Sequence, residues 1–509
     1  DQHLVARSFK YHRPRGIMAA GVEEPNALLT VGSGARQEPN IAATVLELQY
    51  GLHTRSQNAW PSVRFDLMAV NSLLSPFFVA GFYYKTFMGP TRKAWMFYEH
   101  FIRKAAGLGT ATTLADPDRY DWQHGFTDVL VIGSGPAGLA AALGAARAGL
   151  DVTLVEQDFE PGGSLLAQPV DSAQAQWLGH MLTELRASAK VHTMTRATAF
   201  GLYDGNTVGV AQRSAPGLAD AKLGVPRQRL HILRAGQVLM ACGALERPLV
   251  FAGNDKPGVM LSSAVGSYVN RYAVRPGRQA VFAVNNDAAY GDAIALARAG
   301  AKVCIADLRA SVDAALMAQA QAVGIEVLPA TAISAVSGGQ RVRSCVLVPF
   351  DIAQGSGSGA ASTREVDLVA MSGGWTPSVH LSSHRGIRPS YRDDLGGFVP
   401  GGFDTGHAGA GSMMGCQDLA GSIRSGWAAA QQAASRLGRT LAGEAPHVAP
   451  DAGLSMAFVS VGPMAAGKTS GKAFVDFQND VTVDDKRRAD GCRQDLRQGV
   501  CRFPERCDG

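Results

Sequence analysis

The chain has 509 residues, of which 46% are hydrophobic and 18% charged, and its formal net charge is +5 at pH 7. A chain of this length and composition can bury a core large enough for more than one domain, which excludes a disordered or fibrous protein. The small net charge, without a long basic block before the last thirty residues, argues against a nucleic acid as partner.

The cysteines and the apolar runs constrain the environment of the protein. Its seven cysteines are scattered, and no two have the spacing of a redox-active pair or a zinc site. The most apolar early stretch, residues 73–84, is too short to span a bilayer and contains Pro76. We therefore expect a reduced, cytoplasmic protein with no disulfide framework, no metal site and no membrane association.

The first two regions are distinguished by their turn residues and their aromatic content. Residues 1–60 alternate apolar runs with Pro and Gly turns. Within them, residues 8–16 form a basic, aromatic strip, which is either a solvated edge or a surface that docks a partner or an anionic cofactor. Residues 61–125 are a connecting segment whose many aromatics are typical of a core or a subunit interface.

Residues 126–445 have the rhythm of an α/β fold. Apolar strand patterns alternate with Ala-rich helical patterns, which predicts a doubly wound sheet. The predicted strands are 129–132, 152–155, 238–241, 280–284, 303–306 and 368–371. Two similar strand-helix-strand blocks indicate a two-dinucleotide-binding, Rossmann-like domain of the flavoprotein type.

The first block carries a complete dinucleotide fingerprint. The sequence Gly133-Ser134-Gly135-Pro136-Ala137-Gly138 follows an apolar strand and opens an Ala-rich helix. The first glycine permits the tight turn, the second lets the backbone approach the pyrophosphate, and the third lets helix and strand pack closely. The helix N-terminus then offers N–H groups and a positive dipole end to the phosphates.

The second strand of this block ends at an acid. Glu156 lies 21 residues after Gly135, the spacing of a carboxylate that binds a ribose hydroxyl and repels a 2′-phosphate, which favours NAD or FAD over NADP. A glycine turn follows at 161–164, and another after the strand at 238–241. The residues expected to contact the dinucleotide are Gly133, Ser134, Gly135, Pro136, Ala137, Gly138, Glu156, Gln157, Gly163, Ser164 and Gly243.

The second block repeats the pattern without its glycines. Asn285 and Asn286 stand where a phosphate would need close backbone approach, although Asp307 ends the second strand as Glu156 does. We therefore expect a degenerate Rossmann unit kept for packing. Residues 407–411 are placed so that they could form a second contact with the first dinucleotide, but they lack the acid usual at that position.

One further motif is a P-loop pattern. Residues 462–469 match GxxxxGK[ST]. A P-loop requires a helix directly after its Lys-Thr pair, whereas residues 472–477 have a strand pattern. We therefore expect no nucleotide hydrolysis there.

Taken together, several sequence stretches resemble the alpha subunits of heterotetrameric sarcosine oxidases. They are SFKYHRPRG (8–16), QNAWPS (57–62), GFYYKTFM (81–88), GSGPAG (133–138), SGGWTP (372–377) and KAFVDFQND (472–480). The resemblance implies that residues 1–60 are a partial ferredoxin-like β-grasp domain without an iron–sulfur cluster, and that residues 126–445 bind NAD.

The same resemblance implies the wider enzyme. Sarcosine would be oxidised on a beta subunit carrying FAD, with FMN at the alpha–beta interface and oxygen as the final acceptor. The partners would be beta, gamma and delta subunits, and tetrahydrofolate would bind a further alpha-subunit domain. We therefore assign no catalytic residue to this chain.

The two ends depart from the family pattern. The chain is expected to begin inside the ferredoxin-like domain. Residues 446–485 start a connecting region, and residues 486–509 are an atypical tail, from a truncation or a shifted reading frame. Two alternatives stay open: a stand-alone FAD/NAD oxidoreductase of disulfide-reductase architecture, and a non-catalytic scaffold subunit.

Overall fold

The computed structural model describes residues 6–8, 11–57, 59–70, 94–105, 109–215, 224–357, 359–448, 455, 457–459 and 471–485. They contain two mainly parallel sheets flanked by helices, and a small antiparallel sheet near the N-terminus. The predicted α/β class is therefore confirmed. The predictions for residues 81–88, for the P-loop pattern at 462–469 and for the tail at 486–509 fall outside the described residues.

The elements are numbered here in chain order. The strands are β1 (Ala6–Arg7), β2 (Pro14–Arg15), β3 (Leu28–Val31), β4 (Glu38–Ala42), β5 (Thr54–Ser56), β6 (Tyr120–Ile132), β7 (Val152–Val155), β8 (Val191–Met194), β9 (Ala197–Tyr203), β10 (Thr207–Arg213), β11 (Gln228–Met240), β12 (Ala244–Glu246), β13 (Val259–Leu261), β14 (Gln279–Val284), β15 (Lys302–Asp307), β16 (Glu326–Leu328), β17 (Thr331–Ser337), β18 (Ser344–Asp351), β19 (Ser356–Gly357), β20 (Ser362–Glu365), β21 (Leu368–Ser372), β22 (Trp375–Pro377), β23 (Ser390–Arg392), β24 (Gly397–Val399), β25 (His407–Gly409), β26 (Phe474–Asp476) and β27 (Val481–Thr482). The α-helices are α1 (Ala94–Ala105), α2 (Pro136–Arg147), α3 (Ala173–Ala187), α4 (Ser262–Gly266), α5 (Ala288–Arg298), α6 (Ala314–Ala322), α7 (His380–Ser383) and α8 (Leu419–Arg436).

The N-terminal region is a set of short antiparallel strands. Strand β3 is the centre of the β4-β3-β5 sheet, and β1 pairs with β2. The turn between β2 and β3 is organised by Glu24, whose buried carboxylate accepts four backbone N–H groups at 2.7–3.1 Å. This small sheet has too few strands to form a large core of its own.

The first large sheet has the order β8-β7-β6-β11-β10-β9, and β25 also pairs with β11. Strands β8, β7, β6, β11 and β25 are parallel, while β10 and β9 continue the sheet as an antiparallel extension. Parallel strands are buried on both faces, which explains why residues 129–132 and 152–155 are continuous apolar runs.

Strands β6 and β11 are longer than their apolar patterns predict. The sequence predicts strands at 129–132 and 238–241, whereas β6 starts at Tyr120 and β11 at Gln228. The extra halves pair with each other, and β11 pairs there with β10. The extra half of β6 has no buried apolar run, since Trp122 and Phe126 are exposed, whereas the extra half of β11 buries His231 and Leu233.

Two helices pack against this sheet through small residues. Helix α2 is Ala-rich, starts with Pro136 at its first turn and buries most of its length. A methyl group built at Gly426 in α8 would lie 2.0 Å from the carbonyl oxygen of Ala137. A side chain there would collide with backbone, so glycine sets the close approach of α8 to the start of α2.

The second large sheet is entirely parallel, in the order β13-β21-β14-β15-β16. Its apolar core includes Phe282 and Leu368, and helix α5 packs on it. An antiparallel sheet of β17, β18, β19 and β20 extends this half. Strands β12 and β22 pair with each other.

No helix in the described part of the chain is both long and apolar enough to cross a membrane.

Candidate dinucleotide-binding site

The first fingerprint lies where three parallel strands end. Backbone bonds join Gly133 N to Val155 O at 2.8 Å and Ala241 N to Ile132 O at 2.8 Å. The glycine turn after β6, the acid after β7 and the Cys242-Gly243 turn after β11 therefore meet at one sheet edge. In open α/β sheets ligands bind outside this carboxyl edge.

Two of the three fingerprint glycines are required by the fold itself. Gly133 has φ +96°, and a methyl group there would lie 2.4 Å from the carbonyl oxygen of Ala241. A methyl group at Gly138 would lie 1.8 Å from the carbonyl oxygen of Gly133. Both residues must be glycine whether or not a ligand is present.

Gly135 is different. Its backbone is extended, with φ −68° and ψ −176°, a conformation that any residue adopts. A methyl group built on it meets nothing within 4 Å. Packing therefore does not require glycine at this position, whereas a ligand that approaches through the open space would.

The helix start supplies donors next to this space. Gly135 is the N-cap of α2, and Pro136 has no N–H to leave unpaired. The first N–H groups of a helix have no partner within it, so those of Ala137 and Gly138 are available for phosphate oxygens. Gly411, with φ +75°, lies against Ala137, since a methyl group on it would be 2.7 Å from the Ala137 Cβ.

Glu156 is buried and already anchored. Its Oε2 accepts the Ser134 N–H at 2.9 Å and the Ser134 hydroxyl at 2.6 Å, and its Oε1 accepts the Asp158 N–H at 2.9 Å. A carboxylate has about four lone-pair sites, so Oε1 keeps capacity for a ribose hydroxyl.

The glycine turn after Glu156 folds back onto the fingerprint. The N–H of Gly162 donates to the Ser134 hydroxyl at 3.1 Å. Gly163, with φ +56°, packs so closely that a methyl group on it would lie 2.8 Å from the Gly135 Cα. Gln157 and Ser164 are exposed beside it. The structure thus brings the Gly163 turn and the fingerprint glycines together at one place, and their contacts with a dinucleotide stay a prediction.

The turn after β11 carries a thiol that is not activated. Burial and the nearby charge of Glu156 raise the pKa of Cys242 to about 12. The thiol therefore stays protonated at neutral pH, which disfavours a role as a nucleophile. Gly243 next to it has φ +73°, and a methyl group there would meet nothing within 4 Å.

The second Rossmann block has no comparable opening at its acid. The Asp307 carboxylate accepts the Tyr290 hydroxyl at 2.8 Å and two Arg309 N–H groups at 2.8–3.0 Å. It is fully buried. A ribose would have to displace these partners, which agrees with the expectation of a degenerate unit.

A later segment of the chain covers the end of β14. Asn285 bonds Val459 in both directions, at 2.8 and 3.2 Å. The Phe458 ring lies against Gly374, where a methyl group would come within 2.5 Å of it, and the Arg247 guanidinium sits 4.5 Å from its centroid. This contact could not be predicted, because Phe458 is far from Asn285 in the chain and lies in no periodic pattern.

Two buried carboxyl groups, those of Glu246 and Asp292, were not predicted from the sequence. Glu246 at the end of β12 accepts the N–H and hydroxyl of Ser263 at 2.9 and 2.6 Å. Burial is the main cause that raises the pKa of Glu246 to about 7. Burial and the Glu246 charge likewise raise the pKa of Asp292 well above its usual range.

The P-loop pattern is followed by a strand within residues 471–485. Strand β26 starts at Phe474 and pairs antiparallel with β27. This agrees with the strand pattern read from the sequence.

Two family models match parts of the chain. Residues 128–217 match the model described as FAD dependent oxidoreductase, and residues 1–59 match the model described as 2Fe-2S iron-sulfur cluster binding domain. Residues 1–59 contain no cysteine, so this segment cannot supply the thiolates that hold such clusters. The matches confirm a flavoprotein-type domain preceded by a ferredoxin-like region.

Two curated relatives match nearly the whole chain. The "Sarcosine oxidase subunit alpha" of Rhizobium meliloti (strain 1021) is 43% identical over 488 residues, which cover 95% of this chain and 48% of the relative. The protein of the same name from Corynebacterium sp. (strain P-1) is 33% identical over 99% of this chain and 48% of its own length. The chain therefore spans about half the length of these relatives.

Among solved structures, L-proline dehydrogenase from P. horikoshii superposes with a TM-score of 0.54 at 15% identity. The match covers 86% of this chain and 69% of that one. At this identity the likeness concerns the fold alone.

Proposed function

The chain is a homologue of the alpha subunits of sarcosine oxidase, and we propose that it is the part of such a subunit that holds a dinucleotide, NAD, at the Gly133–Glu156 site. The predicted resemblance to this family is confirmed by the relatives at 43% and 33% identity. The identity of the dinucleotide and the activity of the complete enzyme belong to the proposal.

The open space at Gly135 carries this proposal. Gly133 and Gly138 are explained by packing alone, but Gly135 faces a space bounded by the start of α2 and the Gly163 turn. The negative charge of a pyrophosphate suits that position, because it lies at a helix N-terminus. Glu156 would bind the adenosine ribose through Oε1.

Glu156 also supports the choice among dinucleotides. A buried carboxylate held by two neighbouring residues cannot move away from a 2′-phosphate, which disfavours NADP. The sequence resemblance favours NAD in this site.

When bound, NAD would supply a hydride-accepting nicotinamide ring, and the residues of this chain would bind and orient it. Ser134 fixes the Glu156 carboxylate, and α2 directs its N–H groups at the phosphates. Burial raises the pKa of Cys242, Cys304 and Cys345, so these three thiols stay protonated at neutral pH. By the family resemblance, the oxidation of sarcosine to glycine would occur on a partner beta subunit.

The wider assembly follows from the same proposal. FAD would belong to the beta subunit, FMN to the alpha–beta interface, and oxygen would be the acceptor. The gamma and delta subunits would complete a cytoplasmic heterotetramer.

A direct experiment tests the identity of the dinucleotide. The full chain is purified, denatured, and the released small molecules are identified by mass spectrometry. Released NAD supports the proposal. Released FAD with NADH-dependent reductase activity would replace it by the stand-alone oxidoreductase, a second candidate that the FAD dependent oxidoreductase match at 128–217 favours. A chain without nucleotide that also fails to bind added NAD or FAD would contradict both.

A further inference from the structure

A second cavity lies away from the dinucleotide site, between the N-terminal region, the second Rossmann unit and the segment before β26. Its volume is about 370 Å³, within the range of about 300–1,000 Å³ that is usual for ligand pockets. It shares no residue with the Gly133–Glu156 site. Its polar lining consists of Arg7, Tyr11, His12, Arg13, Lys256 and Lys472.

The lining is cationic, and the acids that contact it are not part of it: Asp485 accepts the Tyr11 hydroxyl at 3.2 Å, and two aspartates sit behind the cations. Asp66 and Asp255 have fully buried side chains. The Arg13 guanidinium donates two hydrogen bonds to the Asp255 carboxylate, from Nε at 2.5 Å and from Nη2 at 2.8 Å. More than a quarter of the Arg13 side chain nevertheless remains exposed. The acids therefore hold the cations in position, while the surface that faces the cavity carries no acidic residue among those described.

The Asp66 carboxylate organises the opposite wall in the same way. Its Oδ2 lies 3.0 Å from Arg7 Nε and 2.7 Å from His12 Nε2. Burial lowers the pKa of His12, so this ring is uncharged at neutral pH. The charged partner of the Asp66 carboxylate is therefore Arg7.

The two lysines add charge from the other side. Lys256 Nζ donates to the carbonyl oxygen of Gly338 at 2.9 Å, a neutral acceptor. Burial and the neighbouring Arg13 lower the pKa of Lys256, against a smaller opposing effect of Asp255. Lys472 Nζ lies 3.8 Å from the centre of the Tyr11 ring. Arg13 and Lys256 thus repel each other beside one space, which an anion would relieve.

We propose that this cavity binds the phosphate group of a small phosphomonoester. A dianion with several acceptor oxygens matches converging Arg and Lys side chains better than a single carboxylate does. The cavity is larger than one phosphate ion, and Tyr11 and Pro14 provide a less polar wall for the organic part. The basic strip at 8–16 would then be a docking surface for an anionic ligand, one of the two readings of the sequence.

Calorimetric titration of the full chain tests this proposal, at fixed ionic strength in chloride. Inorganic phosphate, ribose 5-phosphate and FMN are compared, with ribose and riboflavin as the unphosphorylated partners. We expect the phosphates to bind and the unphosphorylated compounds not to bind through this cavity. A preference for FMN or for ribose 5-phosphate over inorganic phosphate identifies the organic part.

Two variants locate the binding. Lys256→Gln and Lys472→Gln should each weaken phosphate binding by about tenfold or more, whereas Lys302→Gln, at an exposed position on β15, should leave it unchanged. Gly135→Val should also bind phosphate normally, which separates this proposal from the dinucleotide site. Absence of phosphate binding in the wild type, or equal binding by all four variants, would overturn the proposal.

A measurement on the unmodified chain covers the case in which a lysine variant does not fold. Acetylation of Lys256 by limiting acetic anhydride is followed by mass spectrometry with and without phosphate. A bound phosphate should slow acetylation of Lys256 severalfold but not that of Lys302, because it covers the amine and favours its protonated form. Equal acetylation of Lys256 in both conditions would contradict the proposal.

Discussion

At the scale of single residues, the contacts around each glycine show whether packing requires it or whether a ligand could explain it. Gly133, Gly138 and Gly426 have backbone atoms where a side chain would go, while Gly135 has open space. The fingerprint pattern in the sequence predicts all of its glycines equally well and cannot make this distinction. Only the packing around each position shows which of them the fold would keep without a ligand.

Glu246 gives a prediction about the pH dependence of stability. Its folded-state pKa of about 7 lies above the ordinary value of 4.5. The stability that this protonated group contributes is therefore present below pH 4.5 and is lost as the pH rises through 7. Glu246→Gln should remove this loss, which is at most about 3 kcal/mol for one group.

The measurement is chemical denaturation of the wild type and Glu246→Gln at pH 5, 6, 7 and 8. The variant should lose less stability than the wild type between pH 5 and pH 8. Glu444→Gln, at an exposed position, is the control and should follow the wild type. Parallel pH profiles for wild type and Glu246→Gln would refute the assignment of a raised pKa.

At the scale of elements, the predictable part of the fold is the part with continuous apolar strands. Strands β7, β14, β15 and β21 lie where their apolar runs predict them. The outer half of β6 could not be predicted, because Tyr120, Trp122 and Phe126 are exposed and the segment has no continuous apolar run. The partner of Phe458 likewise depends on a contact between residues far apart in sequence.

The close packing of α2 and α8 gives a second prediction. Gly426→Ala places a methyl group 2.0 Å from the Ala137 carbonyl oxygen, so the helices must separate. We expect the free energy of unfolding to fall by about 1–3 kcal/mol, as measured by urea denaturation. Because Ala137 also lies in the fingerprint, dinucleotide affinity should fall as well.

Gly179→Ala is the matched control for that substitution. Gly179 lies in helix α3, and a methyl group there meets nothing within 4 Å. Alanine favours a helix over glycine by up to about 1 kcal/mol, so this variant should be as stable as the wild type or slightly more so. A Gly426→Ala chain as stable as Gly179→Ala would show that the α2–α8 contact is less close than described.

The contact at the end of β14 gives a third prediction. Phe458→Ala removes the ring that fills the space beside Gly374 and lies on the Arg247 guanidinium. The loss of this contact should lower the free energy of unfolding by about 1–3 kcal/mol. Phe458→Leu, which keeps apolar volume, should lose less.

Titration with NAD shows whether Phe458 only packs at the end of β14 or also blocks a second dinucleotide site there. Phe458→Ala should bind the same number of NAD molecules as the wild type, because Asp307 remains paired with Arg309. A second equivalent of NAD bound by the variant would contradict the degenerate character of the second block.

At the scale of the whole molecule, the chain combines a Rossmann unit suited to a dinucleotide, a second unit whose acid is occupied, and an N-terminal region without cysteine. The sequence predicted the family and the location of the first site, because the fingerprint is local and the family motifs are specific. It could not predict the cationic cavity, which is formed by Arg13, Lys256 and Lys472 from three separate segments. Such a cluster exists only after folding.

The central claim is that the chain holds a dinucleotide against Gly135, and nucleotide occupancy tests it most directly. NAD and FAD released per chain are measured for wild type, Gly135→Val and Gly179→Val after saturation with the dinucleotide and removal of excess. Since Gly135 has an ordinary backbone conformation and open space, Gly135→Val should stay folded and lose only about 1 kcal/mol of stability as a poorer N-cap residue. The account predicts that occupancy falls by about tenfold or more only in Gly135→Val, and equal occupancy in all three chains would contradict it.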